Sequence, residues 1–448
     1  MTKKDFEDNR GIWVKLFGVD NQTLDALYAD IVKRNQSFDK RLLLTIKPWF
    51  VWLVSSFERL VTPDGHKKFD CKGNDFVFIT CPDPVHRVKT LSLIAGNLKF
   101  TKFFLPSTTR PTVVRQYYNY YKKEKKENVF FGIFSSDDMR NYRAFLKENK
   151  ETINSIRCHS KEDTIALKYH VMRYALYSIY AKREFAKIEN KSLWMFEHDK
   201  FYFIPIVEQF RKKGVTTIQM QHGTFFNPNT AVFIPLYTNK IMCCSKREKS
   251  LYMESGVKEE DVYVVGAPLQ TIVEKKDERL VIKYDILVLL TASSIGLSIM
   301  ETTLKYLRDH FSDKKILLRF RPRSKEIDIK ALSHCIKGFS ISEGTSLHED
   351  ISSSQRVISF SEDANFEIIS TGKKFISFVK PSCLYGNYLD GICYTIENID
   401  ECMTILMSSD DKMCNNRYVE AYGETNLKKI AQNFNTIITQ LKACNYEN

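Results

Sequence analysis

Short, uninterrupted apolar runs closed by polar residues recur along the chain, separated by stretches of helical periodicity. The run Asp75–Cys81 is the clearest of them. It does not alternate apolar with polar, which predicts a strand covered on both faces, as in a parallel sheet between helix layers. Leu98–Leu105 and Val129–Phe134 are further expected strands, with a helix over Val85–Gly96 after the turn at Pro82–Pro84. Residues Asp20–Arg59 and Asp138–Ile188 read as mainly helical. Strands Ser192–Glu197, Val215–Gln221, Lys240–Ser245 and Val262–Gly266 then alternate with helices Phe201–Lys213 and Lys246–Ser255. Such alternation predicts right-handed βαβ units in a parallel sheet.

The alternation stops at a charged run, Glu274 to Arg279, and restarts at Tyr284–Thr291. Helices Ser298–Phe311, Glu326–Lys337 and Asp363–Thr371 then interleave with strands Lys315–Phe320, Arg356–Phe360 and Lys374–Val379. A second parallel sheet is therefore expected from about residue 283, with the charged run as linker. The expected class is α/β, with two doubly wound Rossmann-like domains facing each other across a cleft. A chain of 448 residues suits two domains better than one core. The expected division is 1–270, with extra helices, then 271–425, then 426–448 as a terminal helix packing on either domain.

Composition narrows the function less than this pattern does. Lys and Arg number 67 against 54 Asp and Glu, a net charge of +13. The excess suits anionic partners without choosing among nucleotides, nucleic acid and membrane. Basic and acidic residues are interspersed and no nucleic-acid motif occurs, so nucleic acid is not an expected partner. The eleven cysteines include no Cys-x-x-Cys, which reads as reduced thiols in place of a zinc or disulfide framework. No apolar run reaches the ~20 residues of a membrane-spanning helix, and Met1–Arg10 is too charged for a secretory signal. The expected location is cytoplasmic, with the inner-membrane surface as a peripheral site. Lys47–Phe57, carrying Trp49 and Trp52 among Lys40, Arg41, Lys47 and Arg59, suits a bilayer interface. It equally suits a helix burying one face in its own domain, with Pro48 in its first turn.

Open parallel sheets bind ligands beyond the carboxyl ends of their strands. In the first half these positions hold Asp83, Glu197, Asp199 and His222, groups that titrate and accept protons. Gly223 after His222 would let a ligand approach the backbone. In the second half they hold Thr291, Ser293, Ser294, Arg319, Arg321, Arg323, Ser359, Ser361 and Glu362. Hydroxyls, glycine and guanidinium groups at helix starts are phosphate-binding chemistry. Arg319 and Arg321, two apart on a strand, are expected to point the same way and act as a pair on a departing phosphate. No Asp-x-Asp follows a strand, so protein cations and helix ends are expected in place of a metal.

Four segments carry a resemblance. Thr217-Ile-Gln-Met-Gln-His-Gly-Thr224, Lys240-Ile-Met-Cys-Cys-Ser245 and Val262-Tyr-Val-Val-Gly-Ala-Pro268 are similar to the centre of GT-B-type glycosyltransferases of bacterial surface polysaccharides. That group includes capsule-type transferases and the CDP-glycerol or ribitol phosphotransferases of teichoic acid synthesis. The segment Val357 to Ile376 resembles the GT-B donor site, a strand and hydroxyl-bearing loop leading into a helix with glutamate and Gly-Lys. The resemblance covers roughly residues 192 to 380. It implies that Glu367 hydrogen-bonds the donor ribose, that Ser359 and Ser361 face its phosphates, and that His222 sits near the transferred group. Many relatives carry His-Pro where this chain has Arg321-Pro322, and an arginine there binds phosphate but gives up no proton. Gln270 stands near the place of an Asp common after the Val-x-Gly-x-Pro motif.

The expected activity is that of a metal-independent glycosyltransferase, moving a sugar from a nucleotide-sugar donor to a growing surface glycan of capsule or lipopolysaccharide type. The expected acceptor is a glycan or lipid-linked glycan, and no cofactor is expected. A CDP-glycerol or ribitol phosphotransferase is the neighbouring alternative, attacking phosphorus in much the same site. A UDP-sugar 2-epimerase would share the two-domain plan but needs several acids and bases around one sugar, a cluster the sequence does not display. The rival outside enzymology is a basic nucleic-acid-binding protein, which a salt-sensitive DNA or RNA shift would reveal.

Overall fold

The computed structural model describes residues 1–33, 47–51, 53–54, 73–80, 91–106, 128–186, 188, 193–197, 203–221, 236–266, 281–290, 297–321, 325–360, 364–371, 373–378, 393–394, 399–408, 419–420 and 423–447. Seven strands form a first sheet: β1 (Phe76–Thr80), β2 (Phe100–Phe104), β3 (Asn128–Phe131), β4 (Leu193–Glu197), β5 (Thr217–Met220), β6 (Lys240–Cys243) and β7 (Val262–Val264). Their order is β3-β2-β1-β4-β5-β6-β7, with every pairing parallel. A second parallel sheet holds β8 (Tyr284–Leu290), β9 (Ile316–Phe320), β10 (Ser340–Ile341), β11 (Ser354–Ser359), β12 (Lys374–Phe378) and β13 (Cys393–Tyr394), ordered β10-β9-β8-β11-β12-β13.

The unbroken apolar runs are explained by two covered faces. In β1, Val77 and Ile79 join Phe103, Trp194 and Phe196 in one core layer, which also holds Tyr174 and Tyr177 of the long helix Lys161–Glu184. Phe76 and Phe78 join Leu193, Met195, Ile218 and Met220 in the layer on the other face. That second layer is closed by the helix Leu427–Glu447, through Ile430, Phe434, Ile438 and Leu441. The Phe434 ring meets Phe76 edge-on at 5.6 Å, and Lys442 pairs with Asp75. The terminal helix, expected to pack on either sheet, thus returns to the first. In the second sheet Ile286, Val288, Leu318, Ile358 and Ile376 face the helices Leu297–His310 and Ile399–Met407.

Most expected elements stand where the pattern places them, with differences at their ends. The expected helix Glu326–Lys337 stops at Ala331. Beyond it Cys335 N–H donates to the Leu332 carbonyl, a three-residue step that brings both buried side chains to the same core. Only Asn21–Tyr28, a π turn at Ala29–Lys33 and part of 48–54 represent the expected helix Asp20–Arg59 among the described residues. In that last piece Val51 and Val54 are buried, whereas Trp49 and Leu53 point outward. The charged run Glu274–Arg279 and the boundary near residue 270 lie outside the described residues. Two edge strands, β10 and β13, and the helices Leu347–Ser352 and Ile399–Met407 were not expected; two-residue strands carry no period to detect.

Candidate functional site

Each sheet reverses its strand order once, the first between β1 and β4 and the second between β8 and β11. At such a point the helices leaving neighbouring strands diverge to opposite faces and open a crevice beyond the strand ends. Expected site residues in the first half follow β1, β4 and β5, three adjacent strands in which Glu197 lies opposite Met220. Asp83, Asp199 and His222 lie outside the described residues, and Glu197 is described as the last residue of β4 without its side chain.

What is described is the support beneath them. Gln221, immediately before His222, is fully buried. Its N–H donates to the Met242 carbonyl at 3.0 Å, and its Oε1 accepts from the Tyr252 hydroxyl at 3.2 Å. Tyr252 sits on the helix Lys246–Glu254, whose start is tied twice. Ser245 Oγ accepts from the Glu248 N–H at 3.2 Å, and the Glu248 carboxylate accepts from the Cys244 N–H at 2.9 Å. Burial, reinforced by the nearby Glu248 charge, drives the Cys243 and Cys244 thiols far above their ordinary pKa. They stay protonated and serve as packing, not as nucleophiles.

In the second sheet a transverse row crosses the strands near their carboxyl ends. Arg319 of β9 lies beside Leu289 of β8, Leu289 beside Ser359 of β11, and Ser359 beside Ser377 of β12. Ser359 and Ser377 are fully buried, and the Asn365 side chain donates to Ser377 Oγ at 3.2 Å. Asn365 opens the helix Asn365–Thr371, which carries Glu367 in its first turn. Glu367 is half-buried, and desolvation pushes its carboxyl pKa up to about 7, the positive charge of Arg319 opposing that rise only in part.

Arg319 and Arg321, expected to act as an equal pair, have different surroundings. Arg321 is exposed at the end of β9, where its N–H donates to the Leu290 carbonyl at 3.2 Å. Arg319 is turned toward the sheet edge by a buried carboxylate. Its Nη1 donates to Asp350, to Ser342 Oγ at 3.2 Å and to the Thr345 carbonyl at 3.0 Å. Asp350 in turn accepts from Ser342 Oγ at 2.5 Å and from Thr345 Oγ1 at 2.6 Å. Arg319 is thus fixed beside the edge strand by this anchor, while Arg321 is exposed at the strand end. Ser359, expected to face phosphates, lies inside the layer beneath the strand end. Thr291, Ser293, Ser294, Arg323, Ser361 and Glu362 lie outside the described residues.

No protein-family model matches the sequence, and no curated protein matches it either. Solved structures do. A UDP-N-acetylglucosamine 2-epimerase from Rickettsia bellii is similar with a TM-score of 0.52 at 11% identity, over 82% of this chain and 96% of that one. The UDP-GlcNAc 2-epimerase from Methanocaldococcus jannaschii gives 0.51 at 13% identity, over 82% and 99%. The N-terminal domain of Candida albicans trehalose-6-phosphate phosphatase gives 0.50 at 10% identity, over 84% and 98%. The fold is GT-B. Likeness at this identity carries the GT-B architecture and leaves the chemistry to the residues.

Within that GT-B frame, sequence reasoning reached Arg319 and Glu367 and missed what holds the arginine. Asp350 lies on the helix Leu347–Ser352, whose capping box, Ser346 with Glu349, is legible as Ser-x-x-Glu. That signal finds the helix but not its partner, because the Arg319–Asp350 contact spans 31 residues. The contact of Gln221 with Tyr252, also 31 residues apart, was missed for the same reason.

Proposed function

We propose that this chain is a nucleotide-sugar enzyme, and that its reaction is metal-independent transfer of a sugar from a nucleotide-sugar donor to a growing bacterial surface glycan of capsule or lipopolysaccharide type. The observation that carries the reading is Glu367, a carboxyl group half-buried at the switch point of the second sheet within the field of a fixed arginine. A carboxyl there suits the ribose hydroxyls of a nucleotide, and Arg319 and Arg321 suit its diphosphate. Thr291, Ser293, Ser294, Ser361 and Glu362, in the segments after β8 and β11, complete the donor side of the proposal.

The acceptor hydroxyl attacks the anomeric carbon as the bond from that carbon to the diphosphate oxygen breaks. The hydroxyl proton goes to one of His222, Glu197, Asp199 or Asp83, and the guanidinium groups take up the charge on the departing diphosphate. Single displacement inverts the anomeric centre. An acceptor on a lipid anchor fits Trp49 and Leu53, 57% and 53% exposed one turn apart beside Lys47, as a contact with the membrane surface.

A second reading, epimerisation at C2 of a UDP-sugar, is favoured by the GT-B architecture shared with the two 2-epimerases. Attack at phosphorus in a CDP-alcohol is the third. Thermal stability against CMP, CDP, UDP, GDP and AMP, with and without magnesium, tests the donor site. One nucleotide should stabilise selectively and survive chelator, and Glu367→Ala should abolish the response. No stabilisation by any of them refutes the donor site. Release of the C2 epimer from UDP-GlcNAc alone would replace transfer by epimerisation.

A further inference from the structure

The Arg319 guanidinium is held by one nitrogen only. All its hydrogen bonds with described residues, to Asp350, Ser342 and Thr345, use Nη1. None reaches Nε or Nη2 among the described residues, and the side chain keeps 17% of its surface open to solvent. The anchor itself is closed. Asp350 is buried, one of its oxygens accepts from Arg319 and Ser342, and the other accepts from Thr345. Ser342 is fixed in turn, its N–H donating to the Leu318 carbonyl at 2.8 Å. An arginine held this way has lost most of its rotamer freedom before any ligand arrives, while two donors in a planar fork remain.

We propose that Asp350 is a positioning residue, which with Ser342 and Thr345 locks Arg319 so that its Nε–Nη2 edge forms a ready two-donor fork for the diphosphate of a bound nucleotide. The inference rests on the donor-site reading above and adds to it the group that sets the arginine. Two features give it direction. Arg319 of β9 stands beside Leu289 of β8, and Leu289 beside Ser359 of β11, so the arginine lies in the row that ends at the crevice beyond β8 and β11. The buried carboxylate offsets one positive charge, so the fork contributes geometry more than net attraction. Its contribution should therefore be to discrimination between phosphorylated and unphosphorylated forms of one nucleoside. Ordering a free arginine at the moment of binding would weaken that discrimination.

The test is the ratio of affinities for UDP and uridine by titration calorimetry, with CDP and cytidine, then GDP and guanosine, as further pairs. In the unaltered chain the diphosphate should bind far more tightly than its nucleoside. Arg319→Gln should remove most of that ratio. Asp350→Asn should lower it about tenfold, the loss of one well-placed charge-assisted bond, with nucleoside affinity unchanged. If Asp350→Asn lowers the melting temperature of the free protein, Thr345→Ala carries the test, since it removes one of the hydrogen bonds that hold the Asp350 carboxylate and no charge. A ratio unchanged or raised in a folded Asp350 or Thr345 variant overturns the inference and leaves the donor site standing. An unaltered chain that binds none of the three diphosphates refutes the donor site itself.

Discussion

Replacing Glu367 by glutamine should make the second sheet and its helices more stable at alkaline pH and scarcely change them in acid. The carboxyl titrates near 7 in the folded chain against 4.5 for an unperturbed glutamate, because burial disfavours its charge. Below about pH 4.5 both folded and unfolded chains carry the proton, and the site makes no difference to stability. Between the two values the unfolded chain is ionised while the folded chain holds its proton, so stability falls as pH rises. Above about pH 7 the fall is complete. At 1.36 kcal/mol per unit, the loss between pH 5 and pH 8 is about 2.5 kcal/mol, an upper value because part of the side chain meets solvent. For a unit of this size that corresponds to roughly 5–10 °C in melting temperature. Glutamine keeps the shape without the proton, so the wild-type-minus-variant difference should follow that curve in urea unfolding followed from pH 5 to pH 8. A difference that stays flat across the range refutes the reasoning that burial governs this carboxyl.

Three further outcomes follow from packing. Gly423 has φ +99°, and a Cβ there would lie 2.1 Å from the Cys244 carbonyl oxygen, so Gly423→Ala should cost about 3 kcal/mol or more. A melting temperature within a degree or two of the parent would contradict that close approach. Phe434→Ala empties the contact with Phe76 and should cost about 3–5 kcal/mol in urea unfolding, the first sheet losing cooperativity before the second. Asp138 is buried, accepts from the Ser135 N–H at 2.7 Å and from Arg183 Nε at 2.9 Å, and joins a helix start to the long helix. Asp138→Ala should cost about 2–4 kcal/mol, and a loss no greater than that of an exposed helix cap would show that the pair contributes little.

Both sheets were legible because their strands are buried on both faces, and a run such as Phe76 to Thr80 can hardly be anything else between helix layers. Strand order was not legible. The reversal that brings β4 beside β1 arises from the long crossover between β3 (ending at Phe131) and β4 (starting at Leu193), and local pattern carries no record of it. Glu367 was found through its helix and neighbouring motif, whereas its pKa depends on how much water the packed layer excludes. The Arg319 anchor shows the same limit. Alternation along β9 gave the side of the sheet, and a carboxylate 31 residues onward decided where the guanidinium went.

The helix Leu427–Glu447 has a temporal consequence for the cell. Lys442 meets Asp75 across 367 residues of chain, and Asn435 donates to the Ile94 carbonyl across 341. At 5–20 residues per second, roughly 10–40 seconds of synthesis separate the last strand of the first sheet from the completed helix that covers it. Throughout that interval Phe76, Phe78, Met195, Ile218 and Met220 lack their cover, while the second sheet can already fold. A nascent chain arrested before residue 427 therefore presents an apolar face to the folding machinery it meets. Ribosome stalling, more than most point substitutions, should mark this chain for chaperone capture or proteolysis.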